Sequence, residues 1–304
     1  MAKIRTVLGD IEPAGLGLIY THEHLITYPP AVQKDRDLEL SSYECSLREL
    51  TIFKECGGTL LVEATTLDYG RNPNLMARMS AEAGVPVVAV SGFNKAAYFP
   101  LWVETTPVNA IADKLVRDVT DGMDGGRHKA GHLKSGGSYN FIHALEDKTT
   151  RAVARAHKET GAPIWLHTEA GTMGMEMLDI LEDEGVDLGI VVVGHSDRNP
   201  DPFYHASMAN RGATVHFDGV GKVKYHTDAT RMMCIKALLD GGHVERLMIS
   251  GDMGRASYLA GYGGGPGFAF IATKFIPRMR AEGIGDEAID TIFKSNPVRW
   301  LARF

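Results

Sequence analysis

The sequence predicts an α/β fold, a single (β/α)8 barrel of the TIM type filling residues 1–304 as one domain. Eight short apolar runs of strand length alternate with longer amphipathic stretches, and each run is closed by Gly, Pro or polar residues. Eight such units over this length favour a closed barrel over an open doubly wound sheet, and the absence of any GxGxxG after the first run agrees.

The elements follow in order. A strand over 16–21 precedes a helix over 46–56, which Gly57-Gly58 stops. A strand over 59–63 leads to a helix over 72–83 that ends at Gly84, and a strand over 86–90 leads to a helix over 108–121. The strand 129–134 is followed by a helix over 145–160 closed by Gly161, and 163–167 by a helix over 174–184 closed by Gly185. The strand 190–195 precedes a helix over 202–211, 213–217 precedes one over 230–241 closed by Gly241-Gly242, and 247–252 is the last strand. Glycine belongs just beyond these helices because the residue there takes the left-handed conformation at no steric cost. No linker, low-complexity tract or repeat beyond the βα period divides the chain.

Composition narrows the function classes. With 44% hydrophobic and 23% charged residues the chain is too apolar for disorder and too charged for a membrane bundle. Lys+Arg of 32 against Asp+Glu of 38 gives a net charge of -6 with no basic block, so nucleic acid and anionic membranes are not expected partners. Three cysteines, Cys45, Cys56 and Cys234, have no metal-type spacing and argue neither for a disulfide framework nor for a zinc knuckle. No signal-type leader or long apolar span is read at residues 1–10 or beyond, and a cytoplasmic location is expected.

In a barrel the C-terminal ends of the strands converge on one mouth. The first strand ends in Tyr20-Thr-His-Glu-His-Leu25, and the two-residue period of extended chain puts His22 and His24 on one face while Glu23 points away. The fourth ends in Gly131-His-Leu-Lys134, the fifth in His167, the sixth in His195 and the eighth in Ser250-Gly-Asp252. Four imidazoles and a carboxylate at one mouth suit zinc or a similar divalent ion.

The strings Thr21-His-Glu-His-Leu25, Ala130-Gly-His-Leu-Lys134, Leu166-His-Thr168, Gly194-His195 and Ser250-Gly-Asp252 resemble the phosphotriesterase family of the amidohydrolase superfamily along nearly the whole chain. The resemblance implies a binuclear centre of two divalent ions, zinc with manganese or cobalt as alternatives. It places His22, His24 and Asp252 on the buried ion, His167 and His195 on the exposed one, and a carbamate on Lys134 across both. An ammonium cannot ligate a cation, whereas the carbamate is a carboxylate on a long arm and offsets the excess positive charge. His132 shares the face of Lys134, where the resemblance implies an apolar residue, so either a packed imidazole or one that supports a ligand is expected.

The loops resemble a narrower branch that hydrolyses phosphorylated sugar lactones, through Ser138-Tyr-Asn140, Thr168-Glu-Ala-Gly-Thr-Met173, Gly194-His-Ser-Asp-Arg-Asn199, Phe217 to Tyr225 and Gly251 to Gly267. The implied substrate is a γ-lactone 5-phosphate, an anionic small molecule. Lys222 and Lys224, two apart after the seventh strand, and Arg255, three past Asp252, are expected to hold its phosphate, with Tyr225, Tyr139 and Asn140 around it and Tyr98 or Lys95 near the carbonyl. Asp252 is expected to take the proton of the attacking water and deliver it to the leaving oxygen, through His195 or solvent. The resemblance also implies a homodimer, for which no segment of the sequence argues. An organophosphate or carboxylester hydrolase with a greasy pocket is a second reading, since a neutral triester would not require the three cations. A non-catalytic barrel is the third, and six intact ligand positions weigh against it.

Overall fold

A computed structural model of the chain describes residues 2–304. A short antiparallel hairpin, β1 (Ile4–Thr6) and β2 (Gly9–Ile11), comes first. The barrel strands are β3 (Leu18–Glu23), β4 (Gly58–Glu63), β5 (Val87–Val88) with β6 (Val90–Gly92), β7 (His132–Gly137), β8 (Ile164–Thr168), β9 (Val191–Val193), β10 (Thr214–Phe217) and β11 (Leu247–Ile249). Around them lie α1 (Tyr43–Glu55), α2 (Pro73–Ala83), α3 (Trp102–Thr105), α4 (Val108–Thr120), α5 (Ala144–Thr160), α6 (Gly174–Asp183), α7 (Pro202–Asn210) and α8 (Asp228–Asp240). Three short helices, α9 (Ile276–Ala281), α10 (Asp286–Asp290) and α11 (Asn296–Leu301), close the chain.

All barrel neighbours pair in parallel, in the order β3-β4-β5 and β6-β7-β8-β9-β10-β11. The two sheets join at Ala89, where the strand expected over 86–90 breaks in two. The seam between β11 and β3 is closed by other bonds. The Asp252 N–H donates to the His22 carbonyl at 2.9 Å, and the buried Glu23 carboxylate accepts from Ser250 Oγ, Gly251 N and Met253 N at 2.7–2.9 Å. Those bonds take residues 250–252 out of the ladder, so the last strand is shorter than expected. β7 starts later than expected, at His132, and continues to Gly137 against β8.

The helices fall within a few residues of their expected positions, and Gly84 and Gly161 end α2 and α5 at φ of 63° and 73°. The sequence reading passed over β1, β2 and the three last helices, whose short runs carry too few apolar repeats to show a period. Inside the barrel, Ile4, Ile19, Leu60, Val62, Val88, Trp165, Val192, Met248, Trp300 and Leu301 form the floor. Trp165 is its centre: its indole N–H donates to His216 Nδ1 at 3.0 Å, and any Cβ at Gly194 would lie 1.8 Å from the ring. His132 sits in the same floor beside Trp300, ring centroids 5.4 Å apart, and burial pushes its imidazole down to about 3.

Candidate metal centre

The strand ends surround a cavity of about 360 Å³ at the C-terminal mouth. His22, His24, Lys134, His167, His195 and Asp252 all line it. His22 and His24 present Nε2 to one oxygen, Asp252 Oδ1, at 3.6 and 3.3 Å. On the other side, His195 Nε2 and His167 Nδ1 face each other at 3.0 Å. Beneath them Lys134 Nζ reaches the Ala64 carbonyl at 3.0 Å and the Trp165 ring at 4.6 Å.

The outer nitrogens of these rings decide what the inner ones can do. Thr65 gives its proton to Glu63 at 2.6 Å, so it accepts from His24 Nδ1 at 2.7 Å and leaves a lone pair on Nε2. His195 Nδ1 donates to Asp218 Oδ1 at 2.7 Å, and His167 Nε2 meets Glu169 Oε2 at 3.3 Å, so the facing Nε2 and Nδ1 also carry lone pairs. Asp218 turns its second oxygen to His22 Nδ1 at 3.3 Å. Lone pairs aimed at a carboxylate oxygen and at one another in a buried site repel unless a cation lies between them. This donor set therefore fits a pair of divalent ions.

Burial favours the uncharged form of most of these groups. It lowers His22 well below its ordinary value and His195 to about 3, and in His195 the Arg198 charge adds to it. Burial also brings the Lys134 amine down to about 8, against the pull of Asp252 and Asp68. Asp252 behaves oppositely: burial opposes its charge, but Lys222 and His24 outweigh burial and hold the carboxyl well below the usual range.

Lys95, Tyr98, Lys222, Lys224, Tyr225 and Arg255 line the same cavity, as expected from the sequence. Their partners differ from the expectation. Lys222 is buried and bonds Asp252 Oδ2 at 2.8 Å and the Asp252 carbonyl at 2.7 Å. Lys95 pairs with Glu169, and Arg255 Nη1 with Asp35 and Asp37. Lys224 has no ion pair among the described residues and lies 5.8 Å from the Tyr225 ring. Tyr139 and Asn140 do not line the cavity: Tyr139 is exposed, and Asn140 turns at φ 58° to donate its N–H to Thr172 Oγ1. His195 commits Nδ1 to Asp218 and keeps Nε2 facing His167.

The sequence reading missed Arg198 and Glu169. Arg198 Nη2 bonds Asp252 Oδ2 at 2.7 Å, and its guanidinium stacks 4.3 Å over Tyr225. A signal existed: each lies two or three residues past a strand-end ligand, as Arg255 lies past Asp252.

Among the described residues no helix is long and apolar enough to cross a membrane. The family model described as the phosphotriesterase family matches residues 2–301. A phospho-furanose lactonase of Mycoplasmopsis synoviae is 32% identical over 98% of this chain and 91% of its own length. A crystal structure of a lactonase from Listeria monocytogenes superposes with a TM-score of 0.96 at 38% identity, covering 100% of both chains. The phosphotriesterase homology protein of Escherichia coli, in a crystal structure described as complexed with phosphate in its active site, gives a TM-score of 0.92 at 35% identity over 96% of this chain and 100% of its own.

Proposed function

Because this chain belongs to the phosphotriesterase family, and is thereby a hydrolase acting on ester bonds, we propose that it opens the ring of a phosphorylated sugar lactone, a γ-lactone 5-phosphate. The observation that carries the reading is the pairing, in one cavity, of a two-ion donor set with cations that still have free donors. Arg255 bonds its acidic partners through Nη1 alone, so Nε and Nη2 remain for a phosphate, and Lys224 lines the same cavity. The named functions of the Mycoplasmopsis and Listeria relatives, and the phosphate in the Escherichia relative, support the same reading.

His22, His24 and Asp252 would hold one ion, His167 and His195 the other, and Lys134, as a carbamate, would join them. The ions are zinc, with manganese or cobalt as alternatives, and when bound they polarise the lactone carbonyl and make water nucleophilic near neutral pH. Asp252 takes the proton of the attacking water and passes it to the ring oxygen as that oxygen leaves. Arg198 and Lys222 bond Asp252 Oδ2 from two sides, so the carboxylate keeps one orientation through the proton transfer. Tyr225 and Tyr258 line the same cavity.

Turnover of matched lactones with and without the phosphate tests the reading. A charge-assisted contact to phosphate is worth about 1.5 to 3 kcal/mol, so Arg255→Ala and Lys224→Ala should each lower kcat/KM for the phosphorylated lactone roughly tenfold to a hundredfold and leave the unphosphorylated one nearly unchanged. Lys222→Ala, which releases Asp252, should harm both substrates equally. A wild-type preference for the unphosphorylated compound would reject the reading and leave a generic esterase.

A further inference from the structure

We propose that Glu169 is a positioning residue that sets the ring of His167 and so governs the affinity of the outer ion, with Lys95 as its tether. The proposal rests on the two-ion reading above. Glu169 Oε2 meets His167 Nε2 at 3.3 Å and Lys95 Nζ at 2.5 Å, so one carboxylate oxygen links a candidate ligand on β8 to the loop after β6. An imidazole whose Nε2–H is held by a carboxylate has its lone pair on Nδ1, and that is the nitrogen that faces His195.

The turn that carries Glu169 is held in an otherwise unfavourable shape. Ala170 stands at φ 54°, where a residue with a side chain is seldom found. Thr172 closes the turn: its N–H and its hydroxyl both donate to the Glu169 carbonyl, at 3.2 and 2.9 Å, and its hydroxyl accepts the Asn140 N–H at 3.0 Å. Gly171, at φ 73°, packs so closely on the neighbouring turn that a Cβ would lie 2.7 Å from Asn199 N. Four contacts thus fix a strained backbone whose product is the placement of one carboxylate. This also gives Asn140 a place, at one remove from the centre rather than against the substrate.

Lys95 bonds Glu169 through Nζ. Its role is to keep Glu169 from swinging into the cavity, where the carboxylate is about one-third exposed with a side-chain value of 32%.

Titration of metal-free protein with zinc alone, followed by calorimetry and by counting bound ions, tests the assignment. Wild type should bind two ions. Glu169→Ala should bind one ion unchanged and the other ten- to a hundredfold more weakly, with turnover recovering as zinc is raised; the unchanged first ion is what a folding defect would not show. Glu169→Gln still accepts from His167 but cannot pair with Lys95, so it and Lys95→Met should show smaller losses confined to the same ion. Wild-type affinities in Glu169→Ala overturn the proposal, as does equal weakening of both ions. If Glu169→Ala does not fold, unchanged zinc binding in both Glu169→Gln and Lys95→Met overturns it. A wild type that binds fewer than two ions refutes the two-ion reading itself, whereas two ions in wild type with unaffected variants refutes only the role of Glu169.

Discussion

Lys134 is buried on the barrel floor beside Trp165, and burial brings its amine down to about 8. A neutral amine is what attacks carbon dioxide, and below that value its share falls about tenfold per pH unit. The sign follows: at fixed dissolved carbon dioxide, the rate at which carbon dioxide and zinc restore activity to metal-free protein should rise about tenfold per unit up to about pH 8 and then level off. A stopped-activity time course from about pH 6 to 9 measures it, and a flat rate would show that the amine is not limiting. Lys134→Ala should lose both ions and turnover, and short carboxylic acids should restore part of each. The candidate ligands were read from the ends of the apolar runs and from the family resemblance; the period of extended chain applies to His22 and His24, whereas His195 and Asp252 stand beyond β9 and β11 at φ of 57° and 46°. Arg198 and Glu169 lie in turns after the strands, where no period operates. That Lys222 would turn back onto Asp252 depends on a bond across 30 residues, and no local pattern encodes such a bond.

The turns at the mouth share one construction. A buried carboxylate on one element accepts backbone N–H groups from another: Glu23 from Gly251 and Met253, Glu63 from Leu25, Asp68 from Asn94, Glu146 from Ala96 and Ser138, and Asp197 from Asp218 and Gly219. Glu49 on α1 does the same for the glycine-rich segment, accepting from Gly261 at 2.7 Å and Phe268 at 2.6 Å. These bonds satisfy buried N–H donors in loops that have no ladder partner. Glu49→Ala removes both and leaves one buried and one half-buried donor empty, so it should cost roughly 2 to 4 kcal/mol of stability, read as a shift in the urea midpoint. Hydrogen exchange should quicken at Gly261 and Phe268 first. In the sequence these acids read as ordinary polar positions. Their partners are up to 230 residues away, so the helices and strands were legible and the fastenings between them were not.

At the scale of the whole molecule, the barrel brings residues from β3, β7, β8, β9 and the end of β11 to one point, so ions held there tie together five parts of the chain. Metal bound to the folded state alone stabilises it by about 4 kcal/mol when free metal is a thousand times its dissociation constant. Chelation should therefore lower Tm by several degrees, and zinc should restore it; an unchanged Tm in a chelator would show that the rest of the barrel carries the centre's geometry unaided. The order of strands and helices was legible because the βα period spans the chain. The closure of the ring was not, because β11 meets β3 through a side-chain carboxylate and one carbonyl rather than through a ladder. That manner of fastening constrains how such a mouth can be rebuilt. A turn cut at its own ends and grafted into a relative leaves its latch behind, because the acid that holds it belongs to another turn, a strand or a helix. The smallest transplantable unit is a turn together with the distant carboxylate that accepts its N–H groups: the segment 255–268 travels with Glu49, and the turn at Ala96 with Glu146.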